Sequence, residues 1–208
     1  PLTRAFERML HIDDLTRIQT WMEWLRRDLP PVANPQDPLK LMLFAITGNV
    51  RRPASEMADA FDEIWADPDL RREFHDLLAE LRDRRRRPTH RMRDLPFEIH
   101  ATYSRDEISA GLAQLRKGKL LRTQGGVYKD EDSRSDVFYV TLEKDEKEFT
   151  PTTLYNDYAL SRTQFHWESQ GVTRATSQTG LRYQNHQSMN WQILLFVRQR
   201  KSERGVTS

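Results

Sequence analysis

Up to about residue 90 the apolar positions recur every three or four residues, which is the period of helices that each bury one face. Phe6, Met9 and Leu10 predict a short first helix. Leu15, Ile18, Trp21, Met22 and Leu25 predict a second, capped by Asp13 or Asp14. Leu39, Met42, Leu43 and Ile46 keep the same spacing in a run apolar enough to be a buried helix, with a strand as the alternative. Pro53-Ala54-Ser55-Glu56 opens a further helix with Met57, Ala60, Phe61 and Ile64 on one face. Asp67-Pro68 ends it and starts the next, whose stripe is Leu70, Phe74, Leu77, Leu78 and Leu81. Proline in a first turn costs no hydrogen bond. The prolines of PPVANPQDP predict a loop instead, because they remove amide donors and fix the backbone.

Beyond this point the period changes. Phe97, Ile99 and Ala101 alternate with Glu98 and His100, as in a strand. Ser104-Arg105-Asp106-Glu107 reads as a capping box, followed by Ile108, Leu112 and Leu115 on a helical face. A Gly-Gly turn precedes a strand at 127–129, and DEDSRS is a charged loop. Val137 to Leu142 is rich in β-branched and aromatic residues and predicts another strand. Phe165, Trp167 and Ser169 alternate with His166, Glu168 and Gln170, and Trp167 is expected in the core. Thr176 to His186 is a short helix or a loop around Gly180, and Ile193 to Val197 a buried strand running into Arg198 and Arg200. The expected fold class is α+β: an N-terminal helical module, 1–90, then a small curved or barrel-like mixed β-sheet domain, 91–208, with one or two helices. The joint is expected at 84–94, where charge and proline interrupt both patterns. The arginine run at 84–87 there fits a phosphate-contacting patch, or a solvated helix end where cations favour the dipole.

Charge and residue type then narrow the function. The chain has 208 residues, net charge +2 and no cysteine, which excludes disulfides, thiolate nucleophiles and cysteine-ligated zinc. No apolar run approaches a membrane span, and a cytoplasmic protein without membrane contact is expected. The distribution of charge matters more than its sum. From Arg174 onward, Arg174, Arg182, Arg198, Arg200, Lys201 and Arg204 face Glu203 alone. Neither GxxxxGK[ST] nor GxGxxG occurs, so no ATPase site is expected here, and HxK of a phospholipase-D-type nuclease is missing too. His166-x-Glu168 has the His-x-Glu of zinc deaminases without their cysteine half. His166, Glu168 and His186 match no defined metal-ligand spacing, and no metal site is assigned.

The segments LYNDYALSRTQFHWESQG, TGLRYQNH and ILLFVRQRK, with LPFEIHATYSRDEI and DVFYVTLEK upstream, resemble an uncharacterised domain. It lies at the C-terminal end of bacterial superfamily II DNA/RNA helicases that often carry an N-terminal phospholipase-D-like nuclease domain. RMLHIDDLTRIQTW resembles the helical region that joins the helicase core to that domain. The resemblance implies membership of a DNA-handling, defence-related machine. ATP and magnesium would then belong to the parent helicase rather than to these residues. It also implies a fragment whose last domain continues further, and it assigns no residue a role.

Binding is the remaining chemistry. Arginine pairs with phosphates or base edges, and aromatic rings stack on unpaired bases. The candidate DNA-binding residues are Arg182, Arg198, Arg200, Tyr155, Tyr158 and Tyr183, with His166, Glu168 and Gln170 reading a base or an end. The expected function is a non-catalytic accessory region that recognises a DNA end, junction, single strand or modified base. Its expected partners are DNA and the helicase core and nuclease domain of the parent chain. A docking module of the same machine is the alternative, and a hydrolase centred on His166 and Glu168 a further one.

Overall fold

A computed structural model describes residues 3–31, 39–48, 54–84, 90–92, 94–112, 115–116, 119–120, 126–143, 156–161 and 163–200. The chain is mixed α+β, with helices first and then a small mixed sheet carrying one helix. It divides into two compact units, Pro1–Arg122 and Thr123–Ser208.

The first unit begins with α1 (Thr3–Met9), α2 (Leu15–Leu25), α3 (Leu39–Thr47), α4 (Ala54–Ala66) and α5 (Pro68–Arg84). Asp14 caps α2, its carboxylate accepting from the Arg17 amide at 2.8 Å. Asp67 does the same for α5, accepting from the amides of Asp69 and Leu70. The predicted stripes become the core: Ile18, Trp21, Met22 and Leu25 of α2 are buried, as are Phe74, Leu78 and Leu81 of α5. Leu41, Met42 and Ile46 settle α3 as a helix. Phe6 stacks on Phe74 with ring centroids 4.4 Å apart. The side chains of Met57 and Ala60, most of PPVANPQDP and residues 85–87 lie outside the described residues. Arg84 pairs with Glu80 one turn back, so this member of the arginine run is partly neutralised.

The unit does not stop at 84–94. β1 (His90–Arg91) pairs antiparallel with β2 (Glu98–Ile99), followed by α6 (Arg105–Gly111), β3 (Leu115–Arg116) and β4 (Lys119–Leu120). Ser104 and Glu107 form the capping box on α6. The alternation expected from Phe97 to Ala101 is broken after two residues. Glu98 is buried and Ile99 exposed, because the chain turns at His100 with φ of 69°. The Glu98 carboxylate is drawn inward to accept from the amides of Leu15 and Thr16, two donors that α2 leaves open in its first turn.

Beside it lies a buried charge cluster. Arg17 is 1% exposed. Its Nη1 donates to Glu107 Oε1 at 2.7 Å, and its Nε lies 2.7 Å from Asp14 Oδ2, an ionic contact off hydrogen-bond alignment. The guanidinium sits 4.9 Å from the Tyr103 ring centroid, and His11 Nε2 reaches Glu107 Oε2 at 2.7 Å. Burial alone would raise the Glu107 carboxyl. The Arg17 charge, with hydrogen bonds from His11 and the Ser104 amide, outweighs it and holds Glu107 at about 2. Asp13 adds two bonds to Thr102. Residues 97–107 therefore pack with the helices, and compactness divides the chain at Arg122/Thr123 rather than at 84–94.

In the second unit, β5 (Val127–Asp130) and β6 (Ser135–Glu143) form an antiparallel hairpin. β9 (Gln192–Arg200) pairs with β6 in parallel, giving the order β5-β6-β9. Between them come the short hairpin β7 (Tyr158–Ala159) with β8 (Phe165–His166), and α7 (Gln178–Gln184). The strand expected over 165–170 is thus only its first two residues. Ser177 caps α7. A Cβ on Gly180 would meet the Arg174 carbonyl oxygen at 2.2 Å, so this helix can press onto the preceding turn only with glycine there.

Candidate nucleic-acid interface

Register decides which candidate residues can act together. Side chains alternate between the faces of a sheet, and directly paired residues share a face. Tyr139 pairs with Phe196, Thr141 with Arg198 and Glu143 with Arg200, so these six lie on one face. Asp136, Phe138 and Val140 lie on the other, with Ile193, Leu195 and Lys129. Contacts agree with the register: Arg198 Nε donates to Thr141 Oγ1 at 2.9 Å, and Arg200 pairs with Glu143.

The second face carries α7. Arg182 binds Asp136 through two parallel hydrogen bonds, Nε to Oδ2 at 2.7 Å and Nη2 to Oδ1 at 2.8 Å. These bonds strengthen the guanidinium's hold on its proton against the pull of burial. Arg182 is 8% exposed, so it positions α7 on the sheet and does not stand in solvent. Phe138 takes Trp167 in a stack at 4.0 Å and Tyr183 edge-on at 5.1 Å. Trp167 is half-buried rather than fully enclosed, and its ring meets Tyr183 at 5.6 Å. Burial raises the Tyr183 phenol above its usual value, helped by Asp136.

From Arg182 the contacts continue to a residue that the pattern of alternation did not single out. After α7 the chain folds back through a tight turn, Trp191 N donating to His186 O at 2.8 Å. Arg134, at the tip of the β5–β6 hairpin with φ of 51°, donates to the Met189 carbonyl at 2.5 Å and pins that turn. Trp191 is thereby surrounded by cations. Arg182 lies 5.3 Å, Lys129 5.3 Å and Arg134 5.9 Å from its ring centroid. Lys129 also pairs with exposed Glu131, and Arg134 is exposed. Trp191 Nε1 is buried without a hydrogen-bond partner. Lys129 precedes the DEDSRS turn and Arg134 lies within it, and reading that turn as a two-stranded hairpin would have brought them to one place.

The β7–β8 hairpin gathers another part of the expected set. Tyr158 pairs with His166 across it, ring centroids 4.9 Å apart, and Tyr158 is 43% exposed. His166 Nε2 lies 3.9 Å from Glu168 Oε1, both side chains open to solvent, and the Glu168 amide donates to Asp157 Oδ1. Gln170 turns into a bend closed by the Thr173 amide. Tyr155 lies outside the described residues. His186 Nδ1 is engaged with the Tyr183 carbonyl, and no group of three metal-binding side chains forms among the described residues. The structure thus gathers Tyr158, His166 and Glu168. It buries Arg182 beside Tyr183, and it puts Arg198 and Arg200 on the opposite face of the sheet. No described helix is long and apolar enough to cross a membrane.

Residues 97–207 match the family model described as "Domain of unknown function (DUF3427)", which is just over half of the chain, and the protein belongs to that family. No curated protein and no solved structure matches it. The family match opens at Phe97, inside the first compact unit, so the family boundary and the spatial boundary at Arg122/Thr123 do not coincide.

Proposed function

We propose that the second unit is a non-catalytic DNA-recognition module, serving an accessory role in a defence-related helicase and nuclease machine. The observation that carries this reading is the Trp191 ring with Lys129, Arg134 and Arg182 around it. A ring offers a stacking face, exposed cations offer phosphate contacts, and both suit single strands, forks and ends. Arg182 acts as the anchor of this patch rather than as a phosphate ligand. The hairpin group Tyr158, His166 and Glu168 supplies mixed donors and acceptors suited to reading a base or an end. The resemblance to helicase C-terminal domains supplies the context.

Fluorescence anisotropy with duplex, single-stranded, forked and base-modified oligonucleotides at several salt concentrations tests the reading. Binding that weakens steeply with salt is the expected result. If no substrate binds at low salt, the docking-module reading replaces this one. Leu181 and Met189, exposed on α7 and the turn after it, would then be its first contacts.

A further inference from the structure

A second basic site lies wholly within the helical unit. Where α2 ends and α5 begins there is a pocket of about 240 Å³, lined by Arg26, Asp28, Arg71, Arg72 and His75 among others. Arg71 and His75 stand four residues apart on α5 and so face the same way. Arg71 Nη1 donates to the Arg27 carbonyl at 2.6 Å, which fixes the guanidinium plane. Its Nε is buried and has no hydrogen-bond partner. His75 Nδ1 lies 3.4 Å from Asp76, while its Nε2 is likewise buried and unpartnered. Arg72 pairs with Asp69 at 3.0 Å, both well exposed, so it is only loosely held. The α5 amides of Asp69 and Leu70 are already taken by Asp67, so this site is made of side chains and not of a helix end.

Buried nitrogens left without partners are costly, and such groups are normally satisfied in native proteins. Here two of them belong to residues that line one pocket together with Arg26 and Arg72, and the carboxylate lining it is Asp28 alone. An acceptor-only, multiply charged ligand suits such a lining. We infer that this pocket binds a phosphate group, held by the arginines Arg26, Arg71 and Arg72 with His75 beside them. Guanidinium groups match phosphate oxygens in pairs, whereas a cation would meet the like charge of three arginines. The volume admits a phosphate with its ester carbons, not a drug-sized molecule. The same chemistry is offered by a free phosphate or monoester and by a nucleic-acid backbone.

The test follows the imidazole proton resonances of His75 in the whole chain, assigned by their loss in His75→Gln. Inorganic phosphate is titrated against chloride at matched ionic strength, and a short single-stranded oligonucleotide lacking terminal phosphate is titrated separately. Saturable shifts with phosphate are expected. If the oligonucleotide produces them too and competes with phosphate, the ligand is a backbone phosphodiester. If it does not, the ligand is a free phosphate or monoester. Arg71→Gln should lower phosphate affinity about tenfold, the loss of one charge-assisted hydrogen bond. Should that variant fail to fold, as circular dichroism would reveal, Arg26→Ala keeps the backbone cap of α2 and should still weaken binding. Shifts no larger than chloride gives, or affinity indifferent to Arg71 and Arg26, overturn the inference. Lys129→Ala/Arg134→Ala should leave the His75 response intact, so this site and the Trp191 patch can fail separately.

Discussion

The two units treat buried charge in opposite ways. In the helical unit Arg17, Asp14 and Glu107 are buried together, with Tyr103 over the guanidinium and the half-buried His11 closing Glu107 from outside. In the sheet unit the buried pair Arg182–Asp136 sits beneath a half-exposed Trp191, with Lys129 and Arg134 beyond it. The first cluster satisfies its charges among neighbouring side chains and fixes which segments pack together. The second holds a cation in place so that an aromatic ring and looser cations can be presented. Burial of an ion pair is weak evidence for stability in either case, because desolvation offsets attraction. What distinguishes them is whether the contacts lead on to exposed cations, as Lys129 and Arg134 are, or stop at a half-buried side chain.

The largest expected effect breaks the first cluster. Arg17→Met leaves Asp14 and Glu107 buried without a cation and should destabilise the first unit by about 3–5 kcal/mol. Denaturant unfolding measures this, and a loss within error of zero would mean that water already enters the cluster. Asp136→Ala should strip Arg182 of its partner and cost the second unit about 3 kcal/mol, while the fluorescence of Trp191 changes as its support shifts. Trp167→Ala should cost about 2–3 kcal/mol. A half-buried ring loses less than an enclosed one, but stacking on Phe138 and Tyr183 is lost as well. A cost near the upper end for a full core aromatic would show the ring to be enclosed in solution.

Acid sharpens the comparison further. Glu107 is held in the folded chain at about 2, below its unfolded value of about 4.3. Its contribution is therefore complete above that unfolded value and drains away as pH falls toward about 2. Asp14, whose carboxyl burial pushes up, works in the opposite direction. The clean measurement is the stability gap between the parent chain and Glu107→Gln, which should close on acidification through that window. A gap that stays constant would mean that Glu107 is not ionised against Arg17. The smallest effect on folding belongs to the patch. Lys129→Ala and Arg134→Ala should each change stability by no more than about 0.5 kcal/mol. Each should also lower the slope of log affinity against log salt by about one.

What the sequence made legible is what local rules govern. A cap at Asp13 or Asp14, which proves to be Asp14, and the Ser104/Glu107 box could be named because the partner amides lie within three residues. The stripes of α2 and α5 could be named because a helix repeats its burial every turn. The failures are contacts across long separations. Glu98 is pulled inward by amides of α2, which no local alternation around Phe97 can announce. Arg182 looked like a surface cation because its acceptor, Asp136, lies far upstream. Arg198 and Arg182 were grouped by shared charge, whereas the parallel register of β6 and β9 assigns them to opposite faces. Trp191 takes two of its cations from a hairpin that closes elsewhere in the chain, which no pattern around it announces.

The parallel pairing of β6 with β9 also sets an order of events during synthesis. The β5–β6 hairpin can close as soon as Glu143 has left the ribosome, but its other partner begins at Gln192. In that interval the apolar Val137–Val140 edge has its backbone groups open along one side, a template for another chain. Long-range parallel pairing forms slowly once the residues exist, which lengthens the interval. A nascent chain halted within α7 would therefore be sticky in a way that the finished one is not. Arg198, Gln199 and Arg200 at the end of β9 then put charge and amide groups on the outermost strand among the described residues, and so close the window that the topology opens.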